Sequence, residues 1–305
     1  MVRARARVCR TLRTRTTRGG LLAVLVTIVV GCGTGTSPGT SPGTASSAPS
    51  PVPTTQQAAP PPVLDDPRAL AAASVIVLRP QVVATAPHDT GAFTEGLELS
   101  DGVLLEGTGL RGRSQLREVD PATGAVRRAV DLPASQFGEG VTVIGSSIWQ
   151  LTWTDGVAYE RDRATLAVRR TVALPREGWG LCADGSRLVS GDGSDELVVR
   201  DPATFAPVGS VHVRVAGQPL TQINELECTP SGIWANIWQT DHLVRIDPAI
   251  GRVTAVVDAA GLLPDDQRAN SDAVLNGIAA IPGTDQFWLT GKLWPTSFRV
   301  RFVPR

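Results

Sequence analysis

The 305-residue chain carries 29 basic and 29 acidic residues, so its formal net charge at pH 7 is zero. A neutral chain offers no electrostatic support for a nucleic-acid partner. The sequence also lacks a Gly-rich phosphate loop, a zinc signature and a Ser-His-Asp elbow, and it contains only three histidines. We therefore expect neither a metal ion nor a cofactor at the functional site.

Residues 1–31 have the pattern of an export signal. The first 18 residues are rich in arginine and contain no acid, and they precede an apolar run at 21–30 that is too short to span a bilayer. Gly31 and Cys32 follow this run. Two interpretations are open: a plain signal peptide that releases a secreted protein, or a bacterial lipobox in which Cys32 is acylated. We favour the lipobox, which predicts a lipid-anchored protein on the extracytoplasmic side of the cell membrane.

Residues 32–65 are rich in Ser, Thr, Gly, Pro and Ala. Such a segment cannot bury enough apolar surface to fold, and we expect a disordered, flexible linker. The folded domain is expected at residues 66–305. Two apolar segments, 75–78 and 82–84, lie near its start.

A short motif then recurs five times. The copies are Glu95-Gly96-Leu97, Glu139-Gly140-Val141, Trp179-Gly180-Leu181, Asn224-Glu225-Leu226 and Asn276-Gly277-Ile278. They are separated by 44, 40, 45 and 52 residues, which is the size of one four-stranded propeller blade. A second position follows the first residue of each copy after 14 residues, or after 16 in the last copy. Its members are Gly109, Trp153, Gly193, Trp238 and Lys292.

Four of the five units continue with a turn that begins at an aspartate. These residues are Asp120, Asp162, Asp201 and Asp247. Aspartate caps such turns through its side chain, and alternating apolar residues on both sides predict a hairpin of outer strands. The fifth unit ends with the strand at 298–303 and lacks a fourth strand, which either apolar segment near the start of the domain is free to supply. The sequence therefore predicts an all-β fold, a five-bladed β-propeller closed by pairing of its N-terminal and C-terminal strands. The segment 261–275 is the best candidate for a helix.

Two cysteines, Cys182 and Cys228, lie in neighbouring units of the predicted domain. An oxidising compartment would permit a disulfide, but spacing alone does not fix the distance between their Cα atoms. Of the two alternatives, we favour separate buried thiols.

Nine strings cover all five units between about 85 and 300. They are Pro87-His88-Asp89, Ala92-Phe93-Thr94-Glu95-Gly96-Leu97, Phe137-Gly138-Glu139-Gly140, Gln150-Leu151-Thr152-Trp153, Gly178-Trp179-Gly180-Leu181, Asn224-Glu225-Leu226-Glu227, Ala235-Asn236-Ile237-Trp238-Gln239-Thr240-Asp241, Leu275-Asn276-Gly277-Ile278 and Thr290-Gly291-Lys292-Leu293-Trp294-Pro295. Together they resemble the plant-type glutaminyl cyclases, the glutaminyl-peptide cyclotransferase family of plants and bacteria. The resemblance implies a five-bladed propeller that converts N-terminal glutamine of peptides or proteins to pyroglutamate with release of ammonia.

The expected site combines the repeat positions with this resemblance. We expect a catalytic group consisting of Glu139, Lys292 and Asn224. We expect a substrate-binding group consisting of Phe93, Glu95, Trp153, Trp179, Trp238 and Asn276. Glu139 matches the family's acid/base position, and the three tryptophans match its pocket aromatics. The other strand tryptophans, Trp149, Trp234 and Trp288, are expected to pack in the core.

Two of these residues carry further expectations. Lys292 is the only lysine in the sequence, which suggests a need for a compact ammonium that donates to the substrate carbonyl or pairs with Glu139. Glu95 stands where some relatives have glutamine, and a second carboxylate could raise the pKa of Glu139 or pair with the substrate's α-ammonium.

The sequence supports one alternative function, a non-catalytic, lipid-anchored propeller that binds peptides or cell-wall ligands through the same site. In either case we expect a monomer. Its partners would be substrates with an N-terminal glutamine and, through Cys32, the membrane.

Overall fold

The computed structural model describes residues 62–305. The expected export signal, Cys32 and almost all of the expected linker lie outside the described residues. Within the described part of the chain, no helix has the length and apolar character needed to cross a membrane.

The described chain begins with two short helical segments. A 3-10 helix spans Pro62–Asp65, and α1 spans Pro67–Ala72. Asp66 caps α1, because its Oδ1 accepts hydrogen bonds from the backbone N–H groups of Arg68 at 2.9 Å and Ala69 at 3.1 Å. Leu64 and Leu70 are buried in a cluster with strand residues of the domain. Residues 62–65, which we assigned to the linker, therefore pack on the domain.

Strands are the main regular structure of the remaining chain, as predicted for an all-β protein. The first strand, β1, spans Ile76–Pro87. Next come β2 to β5, at Thr94–Ser100, Val103–Thr108, Gln115–Val119 and Val126–Asp131. Strands β6 to β9 span Gly138–Ile144, Ser147–Thr152, Val157–Asp162 and Val168–Ala173. Strands β10 to β13 span Leu181–Ala183, Leu188–Ser190, Glu196–Arg200 and Pro207–His212.

The second half continues the same order. A small hairpin consists of β14 and β15, at Arg214–Val215 and Gln218–Pro219. Strands β16 to β19 span Ile223–Thr229, Gly232–Ile237, His242–Ile246 and Val253–Asp258. Strands β20 to β22 span Leu275–Ala280, Gln286–Gly291 and Thr296–Pro304. The segment in which we looked for a helix contains only a 3-10 turn, Asp265–Gln267.

Three sheets are antiparallel groups of four consecutive strands: β2–β5, β6–β9 and β10–β13. The fourth has eight strands in the order β16-β17-β18-β19-β1-β22-β21-β20. In it, β1 runs antiparallel to β22, from the pair Leu78 and Pro304 to the pair Pro87 and Thr296, and parallel to β19 at residues 76–78. The N-terminal strand thus pairs with the C-terminal strand, and it includes residues 76–78 and 82–84 of the two candidate apolar segments.

The eight-stranded sheet contains two groups of strands, β16 to β19, and β20 to β22 with β1. The first strands of the resulting five groups contact one another in a closed cycle: β2 with β6, β6 with β10, β10 with β16, β16 with β20, and β20 with β2. Glycine at the second motif position permits neighbouring first strands to come this close. The backbone N–H of Gly140 donates to the carbonyl of Trp179 at 2.9 Å. At Gly180, a Cβ atom would lie 2.0 Å from the carbonyl oxygen of Asn224. The motif glycines therefore fix how closely adjacent first strands can pack.

The core tryptophans behave as expected, whereas the cysteines do not. Trp149, Trp234 and Trp288 are at most 8% exposed. Cys182 and Cys228 form a disulfide with a Cα–Cα distance of 5.4 Å, so the expectation of two separate thiols is wrong. The physical reason is the contact between β10 and β16, which brings the two cysteines within disulfide range.

Candidate active site

Irregular strand pairing marks the repeat positions. The register shifts between Thr94 and Gly96, between Gly138 and Val141, between Ile223 and Leu226, and between Leu275 and Ile278. Each shift encloses the first residue of the motif: Glu95, Glu139, Asn224 or Asn276. A β-bulge bends its strand and re-aims the side chain it carries, and bulges are common next to active sites. Four copies of the sequence repeat thus coincide with an irregularity in strand pairing.

Glu95 lies at the centre of the polar contacts in this region. Both carboxylate oxygens accept hydrogen bonds from Lys292 Nζ, each at 2.7 Å. Asn276 Nδ2 donates to Glu95 Oε2 at 3.2 Å and to the carbonyl of Thr94 at 3.0 Å. Glu95 is 2% exposed and Lys292 is 5% exposed. Burial raises the pKa of Glu95, although Lys292 acts in the opposite direction.

Glu139 is a second buried acid of the site, and its carboxyl group interacts with that of Glu95. Burial and, after it, the negative charge of Glu95 raise the pKa of Glu139 well above its usual value. The ammonium of Lys292 lowers it only in part. The site therefore contains one acid that is paired with an ammonium and one acid without such a pair whose pKa is well above its usual value.

Lys292 pairs with Glu95 and not with Glu139, which differs from one of our two expectations. The ammonium also lies over the ring of Phe93, 4.7 Å from its centroid. Two backbone hydrogen bonds hold the segment: Lys292 N–H donates to Val274 O at 3.0 Å, and Leu293 N–H donates to Ala92 O at 2.7 Å. The side chain of His88 adds a third, from Nδ1 to Trp294 O at 2.7 Å.

A buried charge network supports that segment. His88 Nε2 lies 2.9 Å from Glu106 Oε1, and Arg117 Nε donates to Glu106 Oε2 at 2.9 Å. Because a carbonyl and a carboxylate only accept, both ring nitrogens of His88 donate, which requires the imidazolium. Burial is the largest single effect and lowers the pKa of His88, but the charge of Glu106 and the hydrogen bonds to Glu106 and Trp294 together outweigh burial and raise the pKa. Glu106 has a pKa of about 2, because His88 and Arg117 outweigh its burial.

The two motif asparagines present amide oxygens to the interior. Asn224 is 3% exposed and Asn276 is fully buried, and neither Oδ1 has a hydrogen-bond partner among the described residues. Buried amide oxygens are rarely left unpaired in proteins. They can accept from N–H groups of a molecule that enters the site.

Aromatic rings form two contact series around these groups. Phe93 contacts Phe137, with ring centroids 6.1 Å apart, and Phe137 contacts Trp153 at 5.6 Å. Trp179 contacts Trp238 at 5.6 Å, edge to face. Gly193, with φ of +80°, leaves room for Trp179, because a Cβ atom there would lie 2.8 Å from its ring. All four aromatic residues that we expected from the sequence belong to these two series.

Two residues of the site were not expected, Phe137 and Glu177. Glu177 Oε2 accepts hydrogen bonds from Trp153 Nε1 at 2.8 Å and from Trp179 Nε1 at 3.0 Å. Phe137 and Glu177 each precede a motif residue by two positions, as Phe93 does. The sequence therefore contained a signal for them, a third repeat position two residues before the first.

A further group of acids lies along the same first strands. Glu225 Oε1 accepts from the backbone N–H of Leu97 at 2.8 Å, and burial raises the pKa of Glu225 well above its usual value. Glu98 and Glu227 line a cavity of about 800 Å³. Burial raises the pKa of Glu98 to about 7, although hydrogen bonds from Thr142 and Val143 act against it.

In the described part of the chain, no three His, Cys, Asp or Glu side chains come together in a way that could hold a metal ion. Our expectation of a reaction without metal or cofactor stays a prediction.

Comparison with known proteins agrees with the resemblance of the sequence strings. Residues 57–302 match the glutamine cyclotransferase family. The chain is 36% identical over 227 residues to an Arabidopsis thaliana glutaminyl-peptide cyclotransferase, which covers 72% of this chain and 70% of the plant protein. It is also similar to the crystal structure of Myxococcus xanthus glutaminyl cyclase, with a TM-score of 0.72 and 38% identity, over 76% of this chain and 99% of the bacterial one. The chain therefore belongs to the glutamine cyclotransferase family.

Proposed function

We propose that the buried pair Glu95 and Glu139 serves the cyclisation of N-terminal glutamine, and that Glu139 carries the proton. The chain is a glutaminyl-peptide cyclotransferase: it converts the N-terminal glutamine of peptides to pyroglutamate and releases ammonia. The observation that carries this proposal is the asymmetry of the two acids. Lys292 holds Glu95 as a carboxylate, whereas Glu139 has no ion-pair partner among residues 62–305.

The reaction needs one proton to move between two nitrogens. The neutral α-amine attacks the carbon of the side-chain amide, a C–N bond forms, and the amide oxygen gains negative charge. In its ionised form, Glu139 takes a proton from the attacking nitrogen and gives it to the amide nitrogen as its bond to carbon breaks. Ammonia leaves, and the protein returns to its starting state. A raised pKa suits a group that must accept and donate within one cycle.

The other polar groups orient the substrate and the acid pair. We propose that Asn224 binds the substrate amide, since its unpaired Oδ1 is buried. Lys292 stabilises negative charge, either on Glu95 or on the substrate oxygen. Asn276 holds Glu95 through Nδ2. Trp153, Trp179 and Trp238, with Phe93, pack on the aliphatic part of the glutamine side chain and exclude water.

We also propose a finer description of the fold, a five-bladed β-propeller. The five groups of four strands would be its blades, and the cycle of first strands would surround its axis. The fifth blade would consist of β20, β21, β22 and β1, because β1 supplies the missing fourth strand.

The cellular location is a proposal from the sequence. A lipid on Cys32 would hold the domain on the extracytoplasmic side of the membrane, with the segment up to about residue 61 as a tether. Each buried CH₂ of a lipid chain contributes ~0.8 kcal/mol to membrane binding. Cys32→Ala is therefore expected to move the protein from the membrane fraction to the medium, or to leave an unprocessed precursor. An unchanged distribution would contradict the anchor.

The proposed activity is tested with the purified chain and a short peptide that begins with glutamine. We expect ammonia release together with a product whose mass is lower by one ammonia. A matched peptide that begins with asparagine should release much less, because its side chain is one methylene too short to form the five-membered ring. Activity that a chelator abolishes and zinc restores would contradict the proposed mechanism.

A further inference from the structure

Glu177 occupies a position in the site that the reaction scheme does not use. It lies two residues before Trp179, where the first two units have Phe93 and Phe137. A carboxylate thus replaces an aromatic ring at the third copy of this position. Its Oε2 accepts hydrogen bonds from both Trp153 Nε1 and Trp179 Nε1, at 2.8 and 3.0 Å.

These two hydrogen bonds connect the two aromatic contact series, which no ring contact among the described residues connects. Trp153 follows β7 and contacts Phe137, whereas Trp179 precedes β10 and contacts Trp238. Among the described residues, no ring contact connects Trp153 with Trp179. Glu177 is therefore the link between the two aromatic series.

The geometry also makes the link costly to lose. Trp179 is 6% exposed and Trp153 is half-buried, so an indole N–H without its acceptor would have limited access to water. Hydrogen bonds to an ionised acceptor are stronger than those between neutral groups. A single oxygen that accepts from both indoles sets the spacing of the two rings.

A second effect of Glu177 is electrostatic. Its charge is one of the contributions that raise the pKa of Glu139, after burial and the charge of Glu95. Glutamine at this position would retain the accepting oxygen and remove the charge. Alanine would remove both, so the two substitutions separate the two effects.

We propose that Glu177 is a positioning residue: it clamps Trp153 and Trp179 at the spacing that receives the glutamine side chain of the substrate. This inference rests on the proposed function for its kinetic consequences, but the clamp itself exists without substrate. Glu177 acts through the two tryptophans and is not required to touch the reacting atoms.

The test compares Glu177→Ala and Glu177→Gln in the full chain, with Asp285→Asn as a control. Asp285 pairs with Arg301 and is 65% exposed. It lines the cavity that contains Glu98 and Glu227, but it is not one of the residues placed in the reaction. The first measurement is the NMR signal of the indole N–H groups without substrate. We expect Glu177→Ala to shift two of the seven indole signals and speed their exchange with water, and we expect Glu177→Gln to retain slow exchange.

The second measurement is the kinetics of ammonia release from a peptide that begins with glutamine. Loss of two hydrogen bonds should raise KM roughly 10-fold or more in Glu177→Ala, since ~1.4 kcal/mol corresponds to a factor of ten. Glu177→Gln should remain within about 3-fold of the parent KM, while the acidic limb of its pH profile moves to lower pH. Asp285→Asn should change neither.

Two outcomes would overturn the proposal: indole signals that are the same in Glu177→Ala and the parent, or KM values raised equally in the alanine and glutamine variants. An inactive parent would contradict the proposed function instead, and the indole signals would still test the clamp.

Discussion

At the scale of single residues, the site distinguishes two glutamates by their partners. Glu95 receives both hydrogen bonds of a buried ammonium, and Glu139 receives none from a cation within residues 62–305. Two like charges close together cannot both remain ionised at little cost, so a proton that the pair binds resides on Glu139, the acid that lacks the cation. This arrangement gives chemically identical side chains different tasks.

The ion pair predicts a strong effect of removing its cation. Lys292→Met leaves Glu95 buried without a partner, and breaking a buried pair in this way costs roughly 3–5 kcal/mol of unfolding free energy. Denaturant unfolding measures this loss. The double variant Lys292→Met with Glu95→Gln should regain most of the stability but not the activity. A single variant as stable as the parent would argue that the pair is not formed in solution.

At the scale of elements, the first strands combine two features. A bulge turns the motif residue toward the site, and the glycine after it allows the neighbouring first strand to approach. Glu225 occupies the glycine position in the fourth unit, and its carboxylate reaches the backbone N–H of Leu97. Local backbone geometry and side-chain placement are therefore set by the same short motif.

Gly180→Ala tests this coupling. The added Cβ would meet the carbonyl oxygen of Asn224 at 2.0 Å, and overpacking of this kind typically costs about 1–3 kcal/mol. In a domain of this size, each kcal/mol lowers Tm by roughly 2–4 °C. The matched control is Gly209→Ala in β13, where an added Cβ meets nothing within 4 Å. Equal melting temperatures for the two variants would contradict the close approach of the first strands.

The repeat explains how much of the site could be predicted. Bulges and strand ends recur at a fixed spacing, so the sequence identified Glu95, Glu139, Asn224 and Asn276 as a group. The repeat could not predict that Lys292 pairs with Glu95. The two residues are 197 positions apart in sequence, and they meet because the last group of strands contacts the first. Glu177 and Phe137 escaped notice because their position repeats while their side-chain chemistry changes.

At the scale of the whole molecule, two connections cross between groups of strands. β1 joins the C-terminal strands to β19, and the Cys182–Cys228 disulfide joins β10 to β16. The adjacency of β10 and β16 could be expected from the repeat order, but not the distance between two particular cysteines. The disulfide could therefore be identified only from the three-dimensional structure.

The disulfide closes a segment with a sequence separation of 46 residues. In the chain-entropy model, a loop of this length stabilises the folded state by about 4 kcal/mol. The double variant Cys182→Ser with Cys228→Ser should lower the unfolding free energy by up to this amount. Treating the parent with a reductant should reproduce the loss. No change in either experiment would show that the disulfide does not stabilise the fold.

Buried acids predict how stability depends on pH. Glu98 has a pKa of about 7 in the folded state, above its usual value, so the folded state binds a proton that the unfolded state releases. Its contribution is fully present below pH ~4.5 and is lost as pH rises through 7. Glu98→Gln should therefore reduce the fall in Tm between pH 5 and pH 8 by a few degrees. An unchanged slope would contradict the raised pKa.

The central claim is that Glu139 moves the proton while Glu95 does not, and the pH dependence of kcat in Glu139→Gln and Glu95→Gln tests it most directly. Glutamine keeps the size of glutamate but cannot shuttle a proton, so kcat of Glu139→Gln should fall roughly 10²–10⁴-fold, with a smaller effect on substrate binding. Glu95→Gln should reduce kcat much less and move the acidic limb to lower pH, because the negative charge of Glu95 raises the pKa of Glu139. An inactive Glu95→Gln beside a nearly normal Glu139→Gln would contradict the account and make Glu95 the proton carrier.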